Sequence, residues 1–107
     1  MPCQLSVTQL VDILAATPVN IANDIAETLS TGITTDTRSL QPGHVFLALR
    51  GETFDGHDFA RVAVEKGAIA AIVERRMSSQ LDGIPQLQVD DTLQAYQQIA
   101  RWWRDRF

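Results

Sequence analysis

Five consecutive apolar residues, Val45-Phe46-Leu47-Ala48-Leu49, are entered through Pro42-Gly43 and left through the polar run Arg50-Gly51-Glu52-Thr53-Phe54-Asp55-Gly56-His57. A short run without polar alternation is a strand buried on both faces, and such a strand needs helices above and below it. Gln41-Pro42-Gly43-His44 puts proline and glycine at the central positions of a type II turn, where one presets φ and the other accepts φ > 0. Beyond the polar run, Phe59, Val62 and Ala63 mark one face of a helix. Gly67 is its expected left-handed cap, and Lys66 in the last turn suits the helix dipole. A second apolar run at 68–73 completes a β-α-β unit with a right-handed parallel crossover.

The flanks supply the remaining elements. Ser6 and Gln9 form an S-x-x-Q capping box ahead of Leu10, Val11, Ile13 and Leu14, which predicts a helix over 7–16, stopped by Pro18. Residues 19–31 stay unassigned, because Ile21, Ile25 and Leu29 suit either a ragged strand or a helical turn. The β-branched stretch 33–37 predicts a strand, 77–85 a loop and 86–89 a short strand. Asp90 or Asp91 then caps a last helix with Leu93, Tyr96, Ala100 and Trp103 on one stripe. The chain stops inside that amphipathic pattern, which predicts further chain beyond it. With no repeat, linker or low-complexity segment, the expected fold is one α/β domain, a small mixed sheet with helices packed on it.

At 107 residues the chain is long enough to own a core without staples. A formal charge of -4 and a pI near 4.9 argue against a nucleic-acid or anionic-membrane partner, each of which needs a basic footprint. Lys66 is the sole lysine, and Arg101, Arg104 and Arg106, beside Asp105, read as a solvated helix end. Cys3 is the one cysteine, so no intramolecular disulfide forms and a reducing compartment fits. There is no basic leader, and no apolar run nears the roughly 20 residues that span a bilayer. A cytoplasmic location is expected.

Chemistry concentrates in 34–59. In open α/β sheets ligands lie beyond the carboxyl ends of the strands. The run from Arg50 to His57 falls there, with glycines that allow close backbone approach and a helix start whose amides suit an anion such as phosphate. The plainer reading is a well-capped β-α connection, since R-G-x-x-x-D-G alone is weak evidence. Thr34, Thr35, Asp36, Thr37 and Arg38 offer hydroxyls, a carboxylate and a guanidinium to a nucleoside diphosphate; equally, Asp36 and Arg38 pair with each other across one strand face. His44 and His57 have no partner ligands at metal-site spacing, so no metal site is expected. No G-x-S-x-G elbow and no G-x-x-x-x-G-K-[ST] loop occur, which argues against a self-sufficient ATP-using enzyme.

Three pieces, TTDTR from Thr34, PGHVFLAL from Pro42 and RGETFDGHDF from Arg50, resemble the amino-terminal domain of the Mur ligases of bacterial peptidoglycan synthesis. Within that family they are most similar to the branch that joins D-alanyl-D-alanine to UDP-N-acetylmuramoyl-tripeptide. The resemblance implies a three-domain parent whose first domain grips the UDP end of that substrate. ATP and magnesium would belong to a central domain of the same parent chain, absent here, so this chain alone would carry no catalytic residue and no cofactor. Carried over by position, Asp36, Thr37 and Arg38 would approach the uridine, and Gly51, Glu52, Thr53, Phe54, Asp55, Gly56 and His57 would cradle uracil and diphosphate. Asp36 and Asp55 could instead be structural, since carboxylates repel a diphosphate. The branch that adds the third stem residue shares D-[ST]-R and D-G-H, whereas Glu52 and Phe54 favour the D-alanyl-D-alanine branch. A different reading, a stand-alone module docking a partner through its last helix, rests on Trp102 and Trp103.

Overall fold

A computed structural model of the chain describes residues 5–51 and 55–106. Its centre is a five-stranded mixed sheet in the order β1 (Thr17–Val19), β5 (Gln86–Val89), β4 (Ala70–Glu74), β3 (His44–Leu47), β2 (Gly32–Thr34). Four strands are parallel, and β1 joins β5 antiparallel at one edge. The expected β-α-β unit is present: β3 and β4 are parallel neighbours, linked through helix α3 (Ala60–Glu65).

Alternation along β3 and β4 divides the core in two. Val45, Leu47, Ala70 and Ile72 face Leu10 and Leu14 of α1 (Val7–Leu14) and Ala95 and Ile99 of α4 (Thr92–Arg106). Phe46, Ala48, Ala71 and Val73 face Ala60 and Ala63 of α3, together with Leu81 and Ile84. All eight of those central-strand side chains are at most 1% exposed, so helices on both faces are required, as the uninterrupted apolar run indicated. The turn before β3 is also as expected: Gly43 has φ 92°, and the His44 amide donates to the Gln41 carbonyl at 3.1 Å.

Several expectations are corrected. Helix α1 begins on the foreseen capping box but stops at Ala15, in left-handed conformation, and Pro18 lies in the edge strand β1. An edge tolerates proline because one side of the strand has no hydrogen-bonding neighbour. The unassigned 19–31 stretch contains a short helix, α2 (Asn23–Glu27). Strand β2 ends at Thr34 instead of continuing to 37, because the Asp36 amide donates to Thr34 Oγ1 at 3.1 Å and the Arg38 amide to Asp36 Oδ1 at 2.8 Å. Such side-chain bonds compete with a sheet ladder. Phe59 and Val62 are 44% and 39% exposed, and Ala60 and Ala63 form the buried face of α3. Part of the expected loop at 77–85 lies in a 3-10 helix, Arg75–Leu81. In α4 the buried stripe is Thr92, Ala95 and Ile99, with Tyr96 and Trp102 packed against the core, while Leu93 is 55% exposed.

Candidate functional site

The carboxyl ends of β2 and β3 open into one cleft of about 370 Å³, lined by Thr35, Asp36, Thr37, Arg38, Phe46, Gly56 and Phe59. The first polar segment therefore meets Gly56 of the second there, with Phe46 of the central strand between them. No sequence argument separated Phe46 from the rest of the buried run, although period-two alternation puts it on the opposite face from Val45 and Leu47.

The first lip is a self-bonded turn. Asp36 accepts from the Arg38 amide and holds the Arg38 guanidinium, with Nη2 to Oδ2 at 2.9 Å. Hydrogen bonding from the Arg38 side chain, and next from its amide, keeps the Asp36 carboxyl below its usual 3.8. Thr34 and Ser39 hydroxyls close on the Asp36 carbonyl at 3.2 Å each, and Lys66 Nζ donates to the Thr37 carbonyl at 3.3 Å. Asp36 is thus the former of the turn. Arg38, 89% exposed in its side chain, is the cation presented to solvent beside the cleft.

The second lip is fixed by a different set of bonds. Arg50 and Asp55 form an isolated antiparallel bridge, and the Gly56 amide donates to the Leu49 carbonyl at 2.7 Å. A Cβ on Gly56 would meet the Leu49 carbonyl oxygen at 2.7 Å and the Leu49 nitrogen at 2.8 Å, so only glycine lets the chain lie this close to β3. Asp55 caps the 3-10 helix Gly56–Phe59 by accepting from the His57 amide at 3.0 Å. Burial pushes the Asp55 carboxyl up, but bonds from the His57 amide and ring, with the charge of Arg76, outweigh it and hold the group below 3.8.

His57, expected to face a ligand, is instead 2% exposed. Its Nε2 accepts from the Glu74 amide at 3.0 Å, so the proton of the neutral ring sits on Nδ1, 2.6 Å from Asp55 Oδ1. The expectation that amides at this helix start would hold a phosphate is also corrected. Those of Gly56, His57 and Asp58 are taken by Leu49, the Asp55 side chain and the Asp55 carbonyl. Gly51 lines another cleft, with Arg50, Glu74, Asp91, Thr92 and Leu93, rather than the one beside Arg38. Glu52, Thr53 and Phe54 lie outside the described residues. Among those described, no three His, Cys, Asp or Glu side chains gather as metal ligands, and no helix is long and apolar enough to cross a membrane.

One group of residues was missed. Glu74, 2% exposed, accepts from Arg50 at 3.2 Å, Arg76 at 2.9 Å and the Thr92 amide at 3.2 Å. The only sequence signal was a charge ending the apolar run of β4.

A family model described as "Mur ligase family, catalytic domain" matches residues 30–104. The UDP-N-acetylmuramoyl-tripeptide–D-alanyl-D-alanine ligase of Synechocystis sp. is 42% identical over 107 residues, all of this chain and 24% of the relative. A crystal structure of MurF from Acinetobacter baumannii superposes with a TM-score of 0.80 at 33% identity, covering 99% of this chain and 22% of that one. The UDP-N-acetylmuramoyl-L-alanyl-D-glutamate–2,6-diaminopimelate ligase of Aquifex aeolicus is 44% identical over 64 residues, 60% of this chain and 13% of the relative. The chain thus spans less than a quarter of the length of each of these relatives.

Proposed function

Since the chain belongs to the Mur ligase family, we propose that it is the amino-terminal domain of a D-alanyl-D-alanine-adding ligase whose cleft holds the UDP end of UDP-N-acetylmuramoyl-tripeptide. The observation that carries this reading is the make-up of the cleft. Phe59, 44% exposed, shares it with Thr35, Thr37 and Arg38 at the carboxyl ends of parallel strands, over a floor to which the buried Phe46 contributes an edge. A pyrimidine has apolar faces, a ribose presents hydroxyls and a diphosphate is anionic, so aromatic, hydroxyl and guanidinium groups answer its three parts. Asp36 serves by aiming Arg38, and Gly56 by letting the second lip close against β3.

The branch is supported by the D-alanyl-D-alanine-adding relatives that match most fully, 42% identical over 100% and 95% of the chain, against 35% over 86% for a diaminopimelate-adding one. ATP and magnesium belong, in this reading, to a central domain of the parent. The residues here do not fit ATP, because Lys66 precedes Gly67 instead of following a glycine loop and is bonded to the Thr37 carbonyl. The chain therefore binds and orients substrate, and bond formation takes place elsewhere in the parent. A lone cysteine supports a cytoplasmic location.

A few hydrogen bonds of about 1 kcal/mol each leave a dissociation constant near 1 mM, or roughly -4 kcal/mol. Equilibrium dialysis against UDP measures it. Arg38→Ala should weaken binding about tenfold, the size of one charge-assisted contact; unchanged affinity would contradict the assignment. The branch is tested by assaying the full-length parent with D-alanyl-D-alanine against 2,6-diaminopimelate.

A further inference from the structure

Glu74 ends β4 and is bonded on every side. Its Oε1 receives Arg50 Nε at 3.2 Å and Arg76 Nε at 2.9 Å; its Oε2 receives the Thr92 amide at 3.2 Å, in the first turn of α4. Its own amide donates to His57 Nε2 at 3.0 Å. Arg76 reaches onward to Asp55 Oδ2 at 3.6 Å, and Asp55 holds the other nitrogen of His57. One residue therefore meets the start of the second lip through Arg50, its end through His57 and Arg76, and α4 through Thr92.

A plain structural role would be to offset the unsatisfied amides of α4. That role is already partly filled, because Asp91 Oδ1 accepts from the Gln94 amide at 3.1 Å. A buried carboxylate costs several kcal/mol unless it is paired, and both of its partner cations are half-exposed arginines attached to the lip or its anchor. The same carboxylate occupies the end of α4, so the neighbouring cleft lined by Arg50, Glu74, Asp91 and Thr92 is unsuited to an anion.

We propose that Glu74 is a positioning residue that holds the second lip in its binding geometry and carries occupancy of the cleft to the first turn of α4. This rests on the reading of the cleft as a UDP site. Ligand pressing on Gly56 and Phe59 moves Asp55 and His57. His57 is tied to Glu74 by a buried 3.0 Å bond and Asp55 through Arg76, 3.6 Å from one carboxylate and 2.9 Å from the other, so the displacement reaches the Thr92 amide, which does not line the cleft.

The test is an amide nitrogen-proton spectrum of the 107-residue chain at saturating UDP, for the parent, Glu74→Gln and Arg76→Met. In the parent, shifts are expected at Thr35 to Arg38 and also at Thr92 and Gln94. Glu74→Gln keeps an acceptor for Thr92 and the amide that reaches His57 but loses the charge that holds the arginines; it should raise the UDP concentration needed for saturation and, at saturation, diminish the remote shifts more than those at Thr35 to Arg38. Arg76→Met, which leaves Glu74 paired with Arg50, should cut the remote shifts to under about half, because one of several charge-assisted links is lost. Remote shifts missing from the parent, or undiminished in both variants, would overturn the relay and leave the site standing. No response at Thr35 to Arg38 in the parent would overturn the site and the relay together.

Discussion

Gly56 is where the smallest side chain matters most. Its conformation is open to any residue, but its Cα lies against the backbone of Leu49, where no rotamer change makes room for a methyl group. Gly56→Ala should therefore cost about 1–3 kcal/mol in urea unfolding, the range for overpacking a rigid site, and should weaken UDP binding besides. Asp55 acts through charge. Its carboxyl is depressed in the folded chain, so the stabilisation it gives is fully present above its unfolded value of 3.8 and is lost as pH falls through the lower folded value. Asp55→Asn should lower stability by about 1 kcal/mol at neutral pH, and the parent's advantage should fade as the solution is acidified below pH 3.8. A gap between the two proteins that stayed constant in acid denaturation curves would refute that account. Asp36 follows the same sign, with Arg38 as its main cause, but at a solvent-exposed turn.

Among the elements, α4 gives the sharpest choice. Two adjacent aspartates precede it, and only Asp91 accepts from an amide of its first turn, while Asp90 pairs with Arg75 at the surface. Asp91→Ala should cost about 1 kcal/mol, as loss of a helix cap does, and Asp90→Ala should stay within about 0.5 kcal/mol, as expected for an exposed ion pair; thermal unfolding of both variants measures the difference. The sequence left this choice open because either residue fits a capping pattern, and only a bond to Gln94 separates them. Elements whose cause is local were legible: the Ser6–Gln9 box, the Pro42-Gly43 turn and β5 all stand where their residues predict. Elements decided by a distant partner were not. Pro18 reads as a helix stop until β5 offers it an edge, and the stripe of α4 is turned toward Ala95 and Ile99 by the strands beneath it.

At the scale of the molecule, the apolar run at 45–49 is the wall between two cores, and its end brings two distant segments to one cleft. That both segments follow neighbouring parallel strands was legible from chain order, and it brings Gly56 beside Thr35 to Arg38 while Gly51 lines a different cleft. The division of labour within them was not, because bonds spanning 17 or 18 residues, from His57 and Thr92 to Glu74, decide which groups face a ligand. His57 and Asp55 are bonded into the frame, and in the proposed reading recognition is left to Arg38 and Phe59. That claim is tested most directly by mapping which amides of the isotopically labelled chain shift as UDP is added. The account predicts a saturable response, midpoint near 1 mM, centred on Thr35 to Arg38, Phe46, Gly56 and Phe59. A response centred instead on the apolar groove of Val7, Val11 and Ile21, or none at several millimolar, would contradict it.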